Sequence, residues 1–205
     1  MTARGQFITF EGIDGAGKST QLAFLAEHLR AQGRDVVVTR EPGGTELGEA
    51  LRALVLNVDM DPRTETLIMF AARAEHLARV IRPALAAGKW VVCDRFSDAT
   101  FAYQSGGRQL PAEAVESLEH WTHPDLAPDR TLLVDVPPEV AAQRLAGARD
   151  ADRFEAEQAA FFTRVRAAYL ARAAREPQRF VLLDGTATPA DIQQQIAQIF
   201  AAPSR

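Results

Sequence analysis

The chain has 205 residues, 47% of them hydrophobic, one cysteine and a formal net charge of −4, enough apolar content for one domain with a substantial core. The acidic balance implies no general attraction to nucleic acid or anionic lipid. No apolar stretch is long enough to span a bilayer, and Met1-Thr2-Ala3-Arg4-Gly5 lacks the apolar core of a secretory signal, so the expectation is a cytoplasmic protein with neither nucleic-acid nor membrane partners.

The apolar run Phe7 to Glu11 reads as a strand and leads straight into Gly12-Ile13-Asp14-Gly15-Ala16-Gly17-Lys18-Ser19, which satisfies the phosphate-loop pattern G-x-x-x-x-G-K-[ST]. Glycines let consecutive backbone N–H groups turn inward around phosphate oxygens, and the helix that follows presents its positive dipole end to the same charge. Lys18 is placed to reach the β- and γ-phosphates and Ser19 to offer its hydroxyl to Mg²⁺. Thr20 continues a helix expected over Lys18 to Arg30, with an apolar stripe at Leu22, Leu25, Ala26 and Leu29. A chance glycine turn would not have fixed residues at both ends and a strand–turn–helix setting. The loop alone still does not separate a kinase from a GTP-dependent switch or an ATP-driven motor.

Further strands are expected at Asp35 to Thr39, Trp90 to Asp94, Thr131 to Val136 and Phe180 to Asp184. Helical patterns fall at Glu46 to Leu56, Arg63 to Ala86, Ala112 to His120, Pro138 to Leu145, Glu155 to Arg175 and Pro189 to Phe200. Pro62, the Pro137-Pro138 pair and Thr188-Pro189 suit helix starts, while Gly33 and Gly88 suit helix ends. The alternation predicts an α/β fold with a five-stranded parallel sheet flanked by helices. Glu11, Asp94 and Asp184 close their strands, the edge where such sheets gather ligands. With a phosphate loop upstream, Asp94 reads as a Mg²⁺ ligand, acting through the ion's water shell, rather than as a simple turn residue. Cys93, inside an apolar run, reads as a buried inert thiol, and His28, His76, His120 and His123 lack metal-ligand spacing.

Arg40-Glu41-Pro42-Gly43-Gly44-Thr45, Asp94-Arg95 followed by Ala102-Tyr103-Gln104, and Asp152-Arg153-Phe154-Glu155 stand in this order after the loop. Together they resemble the bacterial thymidylate kinases over nearly the whole chain. The resemblance implies a single domain of three-layer P-loop kinase fold over residues 1–205 with a short lid at about 144–155, phosphoryl transfer from ATP to dTMP with Mg²⁺, and a homodimer to which Arg63 to Ala86 contributes. It assigns Arg95 to the dTMP phosphate, with Arg40 nearby unless Arg40 merely pairs with Glu41. Asp14 would face the deoxyribose hydroxyl and the Mg²⁺ shell, Thr100 and Gln104 the thymine edge, and Tyr103 the sugar 2′ carbon, where its ring excludes a ribose hydroxyl. Arg73 would bond to a base carbonyl. The family's stacking aromatic falls at Met69, with Phe70 beside it; Phe70 is chosen for its flat ring, Met69 flanking, while an apolar core stripe is the alternative for both. Ala16 carries no charge, so the lid must supply it: Arg149 is the first candidate for the γ-phosphate and Arg153 the second, in a segment that also holds Arg144 and that would otherwise read as a solvated charged face.

A kinase for another nucleoside monophosphate is the competing enzyme. A GTP-dependent switch is disfavoured because the one asparagine, Asn57, precedes valine rather than the lysine of a guanine-reading Asn-Lys-x-Asp. A transporter-type ATPase would need Gln104-Ser105-Gly106-Gly107 in a different order. A catalytically silent module would not need Lys18, Ser19, Asp94 and Arg95 together.

Overall fold

The computed structural model describes residues 4–146, 153–154 and 157–201. Five parallel strands, β1 (Phe7–Glu11), β2 (Val36–Arg40), β3 (Trp90–Asp94), β4 (Arg130–Asp135) and β5 (Phe180–Asp184), lie in the order β2-β3-β1-β4-β5. The α/β parallel sheet expected from the alternating pattern is thus present, with strand ends moved by a residue at β2 and β4. Period-2 alternation buries both faces. On β1 and β3, Ile8, Phe10 and Val92 join one apolar cluster, while Phe7, Val91 and Cys93 join another with Leu77, Ile81 and Leu85. These clusters are the seams of a three-layer sandwich.

The helices are α1 (Lys18–Ala31), α2 (Glu46–Asn57), α3 (Pro62–His76), α4 (Arg82–Ala86), α5 (Ser97–Thr100), α6 (Ala112–Thr122), α7 (Pro138–Leu145), α8 (Ala159–Arg175) and α9 (Pro189–Ile199). Capping follows the sequence signals: Thr45, Asp61 and Thr188 accept backbone N–H bonds from Gly48, Arg63 and Asp191. Two features depart from the expectation. The run Arg63 to Ala86 is interrupted by a π-helical turn at Leu77–Ile81. The stretch after Arg95, assigned no element from the sequence, is helical: α5 continues into a π-helical segment, Phe101–Gly107, packed on α8. Gly107 permits that packing, since a Cβ there would sit 2.4 Å from the Phe161 ring. Glu155, the expected start of α8, lies outside the described residues.

Candidate active site

The loop between β1 and α1 is shaped by its glycines. Gly15 has φ +79°, and a Cβ on it would meet the Ala141 carbonyl oxygen at 2.5 Å, so only glycine lets α7 approach this closely. Lys18 is buried, and its Nζ donates to the carbonyls of Gly12 and Ile13, 3.1 Å each. Burial lowers its pKa, Arg95 adds to this, and Asp94, Asp14 and Glu11 oppose it. Ser19 and Asp94 line one cleft of about 440 Å³ with Arg40, Gly44 and Glu49. Asp94 Oδ1 is buried with no hydrogen-bond partner among the described residues, an acceptor left to a cation. This donor set of hydroxyl and carboxylate oxygens fits Mg²⁺.

Arg95 follows β3 in the left-handed region, φ 70°, unusual for a residue with a side chain. It is pinned there on both sides: its own N–H donates to Phe10 O (2.9 Å), and the next N–H, of Phe96, donates to Glu11 Oε1 (2.7 Å). The guanidinium donates to Gly12 O (2.9 Å), Tyr169 OH (3.0 Å), Asp14 Oδ1 (2.6 Å) and Tyr103 OH (3.0 Å). Tyr103 OH in turn donates to Asp14 Oδ2 (2.8 Å), and Tyr169 OH to Glu11 Oε2 (2.8 Å). Burial alone would raise the Asp14 pKa, yet the Arg95 and Lys18 charges outweigh it and hold the carboxyl well below the usual range. For Glu11 burial wins, with Asp98 adding to it, and the carboxyl is pushed up to about 8.

Beside this cluster lies a cavity lined by Asp14, Arg52, Met69, Arg95, Tyr103, Gln104 and Phe154, among others. Its floor is braced by buried charges. Glu41, preceding a cis peptide to Pro42, accepts from Arg73 Nε (2.7 Å) and lies 3.0 Å from His76 Nδ1. Arg73 Nη2 donates to Thr100 Oγ1 (3.0 Å), and Arg73 Nη1 is buried without a partner among the described residues. In a further cavity of about 450 Å³, between α6 and α8, Asp98 is bonded to Arg172 and Arg179. The phosphate loop is not part of it.

The sequence profile of the family described as thymidylate kinase matches residues 10–196. The chain is 62% identical over 196 residues to a thymidylate kinase of Bordetella petrii, covering 96% of this chain and 95% of that one. It is 58% identical over 204 residues to one of Burkholderia cenocepacia, covering 98% and 99%. The crystal structure of thymidylate kinase from Ehrlichia chaffeensis superposes with a TM-score of 0.79 at 33% identity, covering 97% of this chain and 99% of that one. The chain belongs to the thymidylate kinase family.

For a thymidylate kinase family member the sequence-selected residues fall into two groups. Ser19 of the phosphate loop, with Asp94 and Arg40, borders the first cleft, although Arg40 pairs with Glu49 (2.7 Å) rather than Glu41. Asp14, Met69, Arg95, Tyr103 and Gln104 line the second cavity, with Arg73 and Thr100 bonded together beneath it. Phe70 departs from the expectation. Its ring packs with Phe101 and Val115, and the Arg73 guanidinium lies 4.8 Å from its centroid, so Met69 takes the pocket side. Helix geometry explains this: Glu65, Met69 and Arg73 recur at i, i+4 and i+8 on one face of α3, and Phe70 is turned off it. Arg153 is bonded to Val55 O (3.1 Å) and to Glu65, on the wall of the second cavity rather than beside the phosphate loop. Arg149 lies outside the described residues. Arg144, by contrast, donates to Gly185 O (2.8 Å) and lies 3.5 Å from Ala16 O. Sequence reasoning missed Glu65, Arg108 and Tyr169; the four-residue spacing on α3 was the available signal for Glu65.

Proposed function

We propose that this chain transfers the γ-phosphoryl group of ATP to dTMP, giving ADP and dTDP, with Mg²⁺, as a cytoplasmic homodimer. The observation that carries this reading is the Asp14–Arg95–Tyr103 cluster, which joins the phosphate loop directly to the second cavity, as a kinase with two nucleotides requires. The loop N–H groups and Lys18 bind the triphosphate. Ser19 and Asp94 are the residues that would hold Mg²⁺, which supplies charge neutralisation on the β- and γ-phosphates.

Arg95 holds the dTMP phosphate and aligns its oxygen for attack. The second pKa of such a phosphate is about 6, so the attacking oxygen is already largely deprotonated at neutral pH and no general base is needed. What remains is to bring two anions together, the task of Arg95, Lys18 and a lid arginine over the migrating group. Arg149 keeps that last role, with Arg144 placed beside the loop to share it. Met69 and Tyr103 flank the nucleoside, and Gln104, Arg73 and Thr100 read its base. No helix among the described residues is long and apolar enough to cross a membrane. Exposed Leu47, Leu54 and Leu67 on α2 and α3 support the dimer. Coupled ADP-release assays with ATP, Mg²⁺ and dTMP, dUMP, dGMP or AMP side by side test the reading: dTMP should give the highest kcat/KM, and a higher value for any other acceptor would overturn it.

A further inference from the structure

Gln104 is 1% exposed and lines the acceptor cavity, and the two ends of its side-chain amide are in different situations. Its Nε2 donates to Glu65 Oε1 at 2.7 Å, while its Oε1 is buried with no hydrogen-bond partner among the described residues. Glu65 is itself fully buried on α3, and its other oxygen, Oε2, accepts from Arg153 Nη2 and lies 3.4 Å from Arg108 Nε. A carboxylate between two arginines accepts and does not donate. Gln104 must therefore turn its NH₂ to Glu65, which leaves a bare carbonyl as the group offered to the base.

We infer that Glu65 is a specificity-determining positioning residue: it fixes the polarity of the Gln104 amide, so that the pocket accepts a pyrimidine carrying N3–H and rejects one carrying a lone pair at N3. A buried carbonyl gains a hydrogen bond from the imide of thymine or uracil and faces repulsion from the ring nitrogen of cytosine. This deepens the proposed function and rests on it.

The substitution Glu65→Gln reverses the chain of donors. The arginines still need an acceptor, so the new amide gives them its carbonyl and turns its NH₂ toward Gln104. Gln104 must answer with its own carbonyl, and its NH₂ now faces the base. Shape and volume barely change, whereas N3 recognition inverts.

The test is kcat/KM for dTMP, dUMP and dCMP in the wild type, Glu65→Gln and the charge-conserving Glu65→Asp. In Glu65→Gln the dTMP:dCMP ratio is expected to fall about 100-fold, because one pairing is lost as the other is gained. The dTMP:dUMP ratio stays fixed, both bases having N3–H, and Glu65→Asp keeps the wild-type preference against dCMP. An unchanged dTMP:dCMP ratio in a folded Glu65→Gln protein, even with a raised KM, overturns the inference. A wild type inactive on dTMP would instead sink the proposed function, and the inference with it. Should Glu65→Gln not fold, a neutron structure of the wild-type protein with dTMP decides: both Gln104 amide hydrogens must lie on the Glu65 side, and hydrogens facing thymine N3 overturn the inference.

Discussion

Replacing Arg95 by lysine isolates the guanidinium fork from its charge. Lysine has the same Cβ and meets the φ of 70° with the same strain, so the backbone cost is common to both proteins. What changes is the number of directions in which donors point. Arg95 satisfies Gly12 O, Tyr169 OH, Asp14 and Tyr103 OH together, whereas a single ammonium on a flexible stem satisfies part of that set and cannot form a bidentate pair with a phosphate. The bonds within the enzyme are made before substrate arrives and so bear on stability, whereas losing the charge-assisted bond to substrate costs about 1.5–3 kcal/mol. That loss in the transition state lowers kcat/KM for dTMP by about 10–10²-fold. The KM for ATP should move by less than about threefold, since Lys18 and the loop amides are untouched. Steady-state ADP release with each substrate varied in turn measures both. A kcat/KM for dTMP within threefold of the wild type would refute the account of Arg95 as the fork that aligns the acceptor phosphate.

Tyr103→Ala should raise the relative kcat/KM for the ribonucleotide UMP against dUMP by about 10-fold or more, since the ring that blocks a 2′-hydroxyl is gone; Tyr103→Phe, which keeps the ring, should leave that ratio unchanged. Met69→Ala should raise the KM for dTMP several-fold, while Phe70→Leu, altering a ring buried against Phe101 and Val115, should cost about 1–2 kcal/mol of stability with a smaller effect on KM; the reverse pattern would restore Phe70 as the stacking residue. Asp98, bonded to Arg172 and Arg179, has a pKa held below its ordinary 3.8 although burial opposes this. A carboxyl with a depressed folded pKa contributes stability above its unfolded value that is lost as pH falls through the folded one. Asp98→Asn should therefore destabilise by about 3–5 kcal/mol at pH 7, and urea unfolding should show the gap narrowing as pH falls below about 4. A gap constant down to pH 3 would refute the linkage.

The parallel sheet, the phosphate loop and the strand-end carboxylate Asp94 were legible because each rests on local pattern: apolar runs, glycine spacing and residues adjacent in sequence. Arg95, Tyr103 and Gln104 became legible only through resemblance to a family, since nothing local shows that residues so far along the chain return to Asp14. What stayed hidden depends on which way a helix face turns. A flat ring at Phe70 suggested stacking, yet the four-residue repeat Glu65–Met69–Arg73 fixes the pocket side of α3 and directs Phe70 into the core. The same repeat places a buried carboxylate, Glu65, against Gln104, Arg108 and Arg153, contacts at 39, 43 and 88 residues' separation that no window on the sequence contains.

Ala16 shows how one loop residue constrains a distant helix. Because the loop offers only Lys18 as a charged donor, the sequence reading looks for positive charge on the migrating phosphate in the segment after residue 143, with Arg149 first and Arg153 second among the three arginines there. Packing supplies a physical ordering for the described ones. Gly15 has no Cβ, so the Ala141 carbonyl can sit where one would be, 2.5 Å away, and α7 is drawn against the loop. Arg144, one turn further along α7, is thereby held beside Ala16 O and anchored by Gly185 O, while Arg153 is committed to Glu65 and Val55 on the other cavity. The missing Cβ at Gly15 is thus coupled to the placement of Arg144. A side chain at residue 15 would have to displace α7, and with it Arg144, the arginine that the described residues place next to the phosphate loop.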